Sequence, residues 1–103
     1  VVGLMEQGLE EPFSQTELAM KANLSTRQLE RLFRKYLSTT PTRYYLNLRL
    51  ARARHLLRQT SMSILSIALA CGFVSASHFS KCYREVYGRT PRAERQPNDM
   101  KPL

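Results

Sequence analysis

With 103 residues, 43% hydrophobic and 23% charged, and a formal net charge of +8, the chain can build one small domain or two subdomains sharing a connecting element. No run of eighteen apolar residues exists, which excludes a membrane-spanning helix, and two cysteines, Cys71 and Cys82, are too few for a disulfide scaffold and lack metal-site spacing. The charge is uneven: before Arg27 Lys21 stands against Glu6, Glu10, Glu11 and Glu17, whereas from Arg27 to Arg58 nine basic residues face Glu30 alone, which points to a polyanionic partner, nucleic acid before membrane.

The N-terminal stretch lacks the basic region, apolar core and cleavage site of a signal peptide. Its start without Met reads as a piece cut from a longer protein, with the cytoplasm, beside the nucleoid, as the expected setting. Val1, Leu4, Met5, Gly8 and Leu9 can share one face of a short helix that Glu10, Glu11 and Pro12 end. Ser14 and Glu17 have the spacing of a capping box, so a helix should run from Ser14 to about Ala22, with Asn23 taking the left-handed conformation that closes it. Leu24 turns inward and Ser25 caps the next helix, Thr26 to about Leu37, with Leu29, Leu32, Phe33 and Tyr36 at helical spacing and Leu29, Leu32 and Phe33 assigned to the core. Two short helices around a tight turn form a helix-turn-helix unit.

Pro41 to Gln59 should be one long helix, started by Pro41 and carrying the apolar stripe Leu46, Leu50, Ala53 and Leu57. After it the pattern recurs. Ser63 begins a helix with Ile64, Ile67, Ala68 and Cys71 inward; Gly72 takes the place of Asn23, Phe73 that of Leu24, Ser75 that of Ser25, Phe79 that of Leu29, Cys82 that of Leu32, Tyr83 that of Phe33, and Thr90-Pro91 that of Thr40-Pro41. Thr90 to Arg95 can form a closing helix, and the polar tail beyond Arg95 should be loose. The expected fold is all-α, about seven helices: a helix-turn-helix subdomain over residues 1–40, a linker helix over 41–59, a second helix-turn-helix subdomain over 60–95, and a tail over 96–103.

The outward sides of the two second helices carry the candidate chemistry. The first shows Thr26, Arg27, Gln28, Glu30 and Arg31: Arg can bond guanine, Gln adenine, and Glu can accept from cytosine. The second shows Ala76, Ser77, His78, Ser80 and Lys81, less basic and shorter in reach. Phosphate contacts, which set register without reading sequence, are expected from Ser25, Arg34, Lys35, Arg43, Arg49, Arg58, Ser75, Arg84, Arg89 and Thr90. His55 reads as a surface residue and Cys71 as a buried, inert thiol; no acid orients a catalytic triad and no glycine-rich cradle or cofactor motif is present, so an enzyme is not expected. A sequence-specific binder of double-stranded DNA, a non-specific DNA- or RNA-binding protein, and a helical protein-interaction domain all fit charge and pattern, in that order of preference.

Ile67-Ala68, Cys71-Gly72-Phe73, Ser75, Ser77, Phe79, Lys81, Tyr83, Tyr87-Gly88 and Thr90-Pro91-Arg92, with Tyr44, Arg49-Leu50, Ala53 and Leu56-Leu57, resemble the DNA-binding domain of the AraC/XylS family of bacterial transcription regulators. The resemblance covers Ser14 to Arg95 and implies two helix-turn-helix subdomains on a long helix, with recognition helices Thr26–Tyr36 and Ala76–Tyr87. Carried over residue by residue, it puts base contacts at Arg27, Gln28, Glu30 and Arg31 and at Ala76, Ser77, Ser80 and Lys81. Where the family often has Arg, Lys81 keeps the charge but not the rigid fork. The wording around Ala68–Ser80 looks closest to the subgroup with an amidotransferase-like N-terminal sensor domain. That subgroup implies a sensor domain that binds a small metabolite and mediates dimerisation; the expected full-length protein is a homodimeric activator of metabolic or catabolic genes that can engage RNA polymerase, while these 103 residues alone would be monomeric.

Overall fold

The computed structural model describes residues 1–95; the tail expected to be loose lies outside the described residues. Those residues form seven α-helices and no strand: α1 Val2–Gln7, α2 Gln15–Lys21, α3 Thr26–Leu37, α4 Pro41–Gln59, α5 Ile64–Ala70, α6 Ala76–Tyr87 and α7 Pro91–Arg95. The chain divides into two compact units whose boundary falls inside α4, between Leu48 and Arg49.

In the first unit Met5, Leu18, Ala19, Leu29, Phe33 and Tyr45 are buried together, with Leu24, Tyr44 and Leu48 packed against them. The loop after α1 is fastened by Tyr45, whose hydroxyl donates to the Gly8 carbonyl and accepts from the Phe13 N–H at 3.1 Å. Only glycine allows that approach, because a Cβ on Gly8 would stand 2.7 Å from the Tyr45 hydroxyl and 2.8 Å from the Phe13 ring. Ser14 and Glu17 form the capping box of α2, with bonds of 3.1 and 2.9 Å. Asn23 has φ 57, and the turn closes with the Leu24 N–H donating to Ala19 at 2.8 Å.

One residue of α3, Leu32, departs from the expected core, and Tyr36, at helical spacing, is exposed as well. Leu32 is 41% exposed and Tyr36 69%. Successive residues turn by about 100°, which puts Leu32 at the edge of the face centred on Leu29 and Phe33. Tyr36 is in line with that face, but the short α1 brings only Val1 and Val2 to that stretch, leaving an open hollow of about 290 Å3 lined also by Leu32, Phe33 and Leu37.

The second unit repeats the plan with larger side chains. Gly72 has φ 84 where Asn23 has 57, and the Phe73 N–H donates to Ala68 at 2.9 Å as Leu24 does to Ala19. Phe79, Tyr83 and Cys82 are buried, and the rings of Phe73, Phe79, Tyr83 and Tyr87 form a chain with centroids 5.2, 5.7 and 4.7 Å apart. Fully burying one such side chain contributes about 1.5–3 kcal/mol.

The sequence match of Thr90-Pro91 with Thr40-Pro41 holds in the structure and extends past it. Thr40 and Thr90 each accept from the N–H three residues on, Arg43 and Ala93, at 3.1 Å, and Pro41 and Pro91 each open the helix that follows. Helix α7 is therefore a shortened counterpart of the start of α4. Where Tyr44 meets Phe33 edge-on at 5.7 Å, Glu94 instead accepts from the Tyr83 hydroxyl at 2.8 Å.

Within α4, Leu50, Ala53 and Leu57 of the expected stripe are buried and Leu46 is half-buried. Tyr44, Tyr45 and Leu48, which pack in the first unit's core, lie on a different face, one that the stripe does not include.

Candidate nucleic-acid interface

Both recognition-type helices start on a serine whose hydroxyl accepts from the third helical N–H at 3.1 Å: Ser25 from Gln28 and Ser75 from His78. The cap sets where the helix begins and leaves the remaining N–H groups of the first turn pointing outward, as an anion requires. Burial of Leu29 and Phe33 in α3, and of Phe79 and Tyr83 in α6, then decides the outward sides.

On α3, Thr26, Arg27, Gln28, Glu30, Arg31, Arg34 and Lys35 are all exposed. Two have partners. The Gln28 amide oxygen accepts from the Ser25 N–H at 2.9 Å, completing a capping box that sequence reasoning misses, because Gln28 matches a base reader equally well. Glu30 accepts from the Gln15 amide at 3.0 Å. Lys35 folds over the Tyr36 ring, 5.2 Å from its centroid. On α6, Ser77, His78 and Lys81 are exposed and Ala76 and Ser80 half-buried. His78 leans back on its own unit, its ring 5.8 Å from that of Phe73 and Nε2 3.8 Å from the Cys82 sulfur. Ser80, Lys81, Arg84 and Thr90 come together around an open hollow of about 470 Å3, with Glu85 as its acidic wall.

Three of the arginines expected on phosphates are fastened within the protein. Arg49 donates to the carbonyls of Cys71 and Gly72 at 2.8 and 2.7 Å and lies 4.2 Å over the Phe73 ring, so it closes the C-terminal end of α5. Arg58 pairs with the Glu94 carboxylate at 2.9 Å. Arg89 donates to the Ala93 carbonyl at 2.8 Å. Arg43 remains exposed at the start of α4.

The second unit also holds an ionic cluster that the sequence does not reveal. Glu94 is buried, accepts from Tyr83 and Arg58, and stands 3.3 Å from Arg54, whose guanidinium lies 4.8 Å over the Tyr87 ring. Burial pushes the Glu94 carboxyl up, yet the Tyr83 hydroxyl and the two guanidiniums outweigh it and hold it below the usual range. Desolvation, with the bond to Glu94, raises the Tyr83 hydroxyl well above its ordinary value. Burial pushes the Cys71 thiol up to about 11, against Arg52 and Arg49, so the thiolate is scarce near neutrality and Cys71 fits its structural role.

Residues 18–97 match the family model described as a helix-turn-helix domain. A transcriptional regulator of Chromobacterium violaceum, of the AraC-type DNA-binding-domain-containing proteins, superposes on 99% of the chain and 90% of its own, with a TM-score of 0.90 and 54% identity. The chain belongs to the AraC-type helix-turn-helix family. This AraC-type domain is also 65% identical over 96 residues to the HTH-type transcriptional regulator GbdR of Pseudomonas aeruginosa, covering 93% of this chain and 26% of that one. It thus spans about a quarter of the length of that curated relative. The DNA-binding domain of AdpA, a global transcriptional factor solved in complex with a target DNA, covers 99% of the chain and 93% of its own at a TM-score of 0.90 and 28% identity. No helix among the described residues is long and apolar enough to cross a membrane.

Proposed function

We propose that this AraC-type domain binds double-stranded DNA in a sequence-specific way, with α3 and α6 reading adjacent major-groove segments, as part of a bacterial transcription regulator. The observation that carries the reading is the repeated presentation of a capped twelve-residue helix whose core side is buried and whose first turns direct polar and basic side chains outward. Arg27, Glu30 and Arg31 are the base readers in α3 and Ser77 and Lys81 in α6, with Thr26, Ala76, His78 and Ser80 beside them and Gln28 divided between its cap and the base edges. Arg34, Lys35, Arg43 and Arg84, with Ser25, Ser75, Thr90 and the two helix N-termini, set the register on phosphates. The intramolecular partners of Arg49, Arg58 and Arg89 take those three out of the primary phosphate set. The domain acts by placement, without chemistry.

In the full-length regulator we place a sensor domain that makes the protein a homodimer and an RNA polymerase contact that activates catabolic genes in the cytoplasm. Arg27→Ala or Arg31→Ala is expected to weaken binding to a selected duplex by about 1–3 kcal/mol and to relax base preference at one position, as measured by competitive binding at fixed salt. An unchanged ratio of specific to non-specific affinity in both variants would overturn this role for α3.

A further inference from the structure

Gln15 has no place in the expected interface, yet it is bound to it. Its side-chain NH2 donates to Glu30 Oε1 at 3.0 Å, and its amide oxygen stands 3.5 Å from the Thr42 hydroxyl, which can donate to it. The carboxylate requires a donor, so the amide must turn its NH2 to Glu30, and its oxygen then faces Thr42. Glu30 has no salt bridge among the described residues, although Arg27, Arg31 and Arg34 share its helix. The amide of Gln15 is what holds it.

The internal repeat shows that the fold does not need this residue. At the matching place in the second unit stands Ile64, half-buried at the first position of α5, and the place of Glu30 is taken by Ser80. The donor and the carboxylate are present together in one unit and absent together from the other.

We propose that Gln15 is a positioning residue for base selection: it holds the Glu30 carboxylate in the rotamer that accepts from the cytosine amino group, so that α3 reads cytosine at one position. This rests on the reading of α3 given above. A free glutamate facing DNA would be driven from the phosphates into solvent and would have to be ordered on binding. Ordering one flexible side chain corresponds to a preference change of about two- to tenfold.

The test uses the 103-residue chain and duplexes that it selects from a random pool, varied at each position in turn. Glu30→Ala should abolish a cytosine preference at one position. Gln15→Ile, which copies the second unit, should reduce that preference about two- to tenfold while leaving the thermal midpoint and the affinity for a non-specific duplex unchanged, and should do nothing further in the Glu30→Ala background. Gln15→Glu, which sets a second carboxylate against Glu30, should reduce it at least as far, and reports on the same contact if the isoleucine variant folds poorly. A full cytosine preference in Gln15→Ile and Gln15→Glu, with loss in Glu30→Ala, overturns the positioning role alone. If Glu30→Ala changes no base preference, Glu30 is not a base contact and the role of Gln15 falls with it.

Discussion

Glu94→Gln isolates the ionic cluster that closes the second unit. The Glu94 side chain is 2% exposed, whereas the side chains of Arg54 and Arg58 are 39% and 50% exposed, so each ion pair counts on the scale of surface pairs, about 0.2–1 kcal/mol, and not of fully buried ones. The Tyr83 hydroxyl bonded to a carboxylate contributes about 1 kcal/mol more than the same bond to a neutral amide. The sum is a loss of about 2 kcal/mol at pH 7. With a urea dependence of about 1–3 kcal/mol per molar, the unfolding midpoint should fall by roughly 1 M, read by circular dichroism.

The pH dependence supplies a second check. Because the folded carboxyl is held below its usual value, its stabilisation is present above the unfolded value of about 4.3 and is lost as pH falls through the folded value. The gap between wild type and Glu94→Gln should therefore narrow steadily below pH 4.3. A variant as stable as wild type at pH 7, or a gap that persists into acid, would refute the assignment of stability to the Glu94 charge.

The two leucines of α3 should separate sharply in urea titrations. Leu29→Ala, at a wholly buried position, is expected to cost about 2–5 kcal/mol, and Leu32→Ala, at 41% exposure, about 1 kcal/mol; equal costs would contradict the placement of Leu32 at the edge of the core. Gly88 ends α6 at φ 76, and a Cβ added there would meet no heavy atom within 4 Å, so Gly88→Ala meets backbone strain and no clash and should cost about 1–2 kcal/mol. A loss below a few tenths would show that the helix end relaxes freely.

The helices are legible in the sequence because each has a local signature. Ser14, Ser25, Ser63 and Ser75 all cap where the sequence puts them, and the left-handed positions at Asn23 and Gly72 follow from the residue types alone. The outward residues of α3 follow from period and burial in the same way. Legibility fails where a side chain has two competing uses. Gln28 matches a base reader by residue type, and its spacing from Ser25 is the signal that also fits the capping-box bond it makes. The internal partners of Arg49, Arg58 and Arg89 are not visible in the sequence, because the charges are legible there while the carbonyls and the carboxylate that engage them are brought near only by folding. Leu32 keeps helical spacing but lies at the edge of the buried face, and Tyr36, in line with that face, lacks cover because α1 is short. Gln15 lies fifteen residues from Glu30, and their contact needs both helices in place.

Selection of bound duplexes from a random pool by the intact 103-residue chain, followed by footprinting on the enriched sequences, tests the central claim most directly. Two short preferred blocks about one helical turn apart, roughly 34 Å, are expected, with preference relaxed at one position of the block read by α3 in Arg31→Ala and at one position of the block read by α6 in Lys81→Ala. A pool that binds with a steep salt dependence yet shows no enriched sequence would contradict specific reading by either helix.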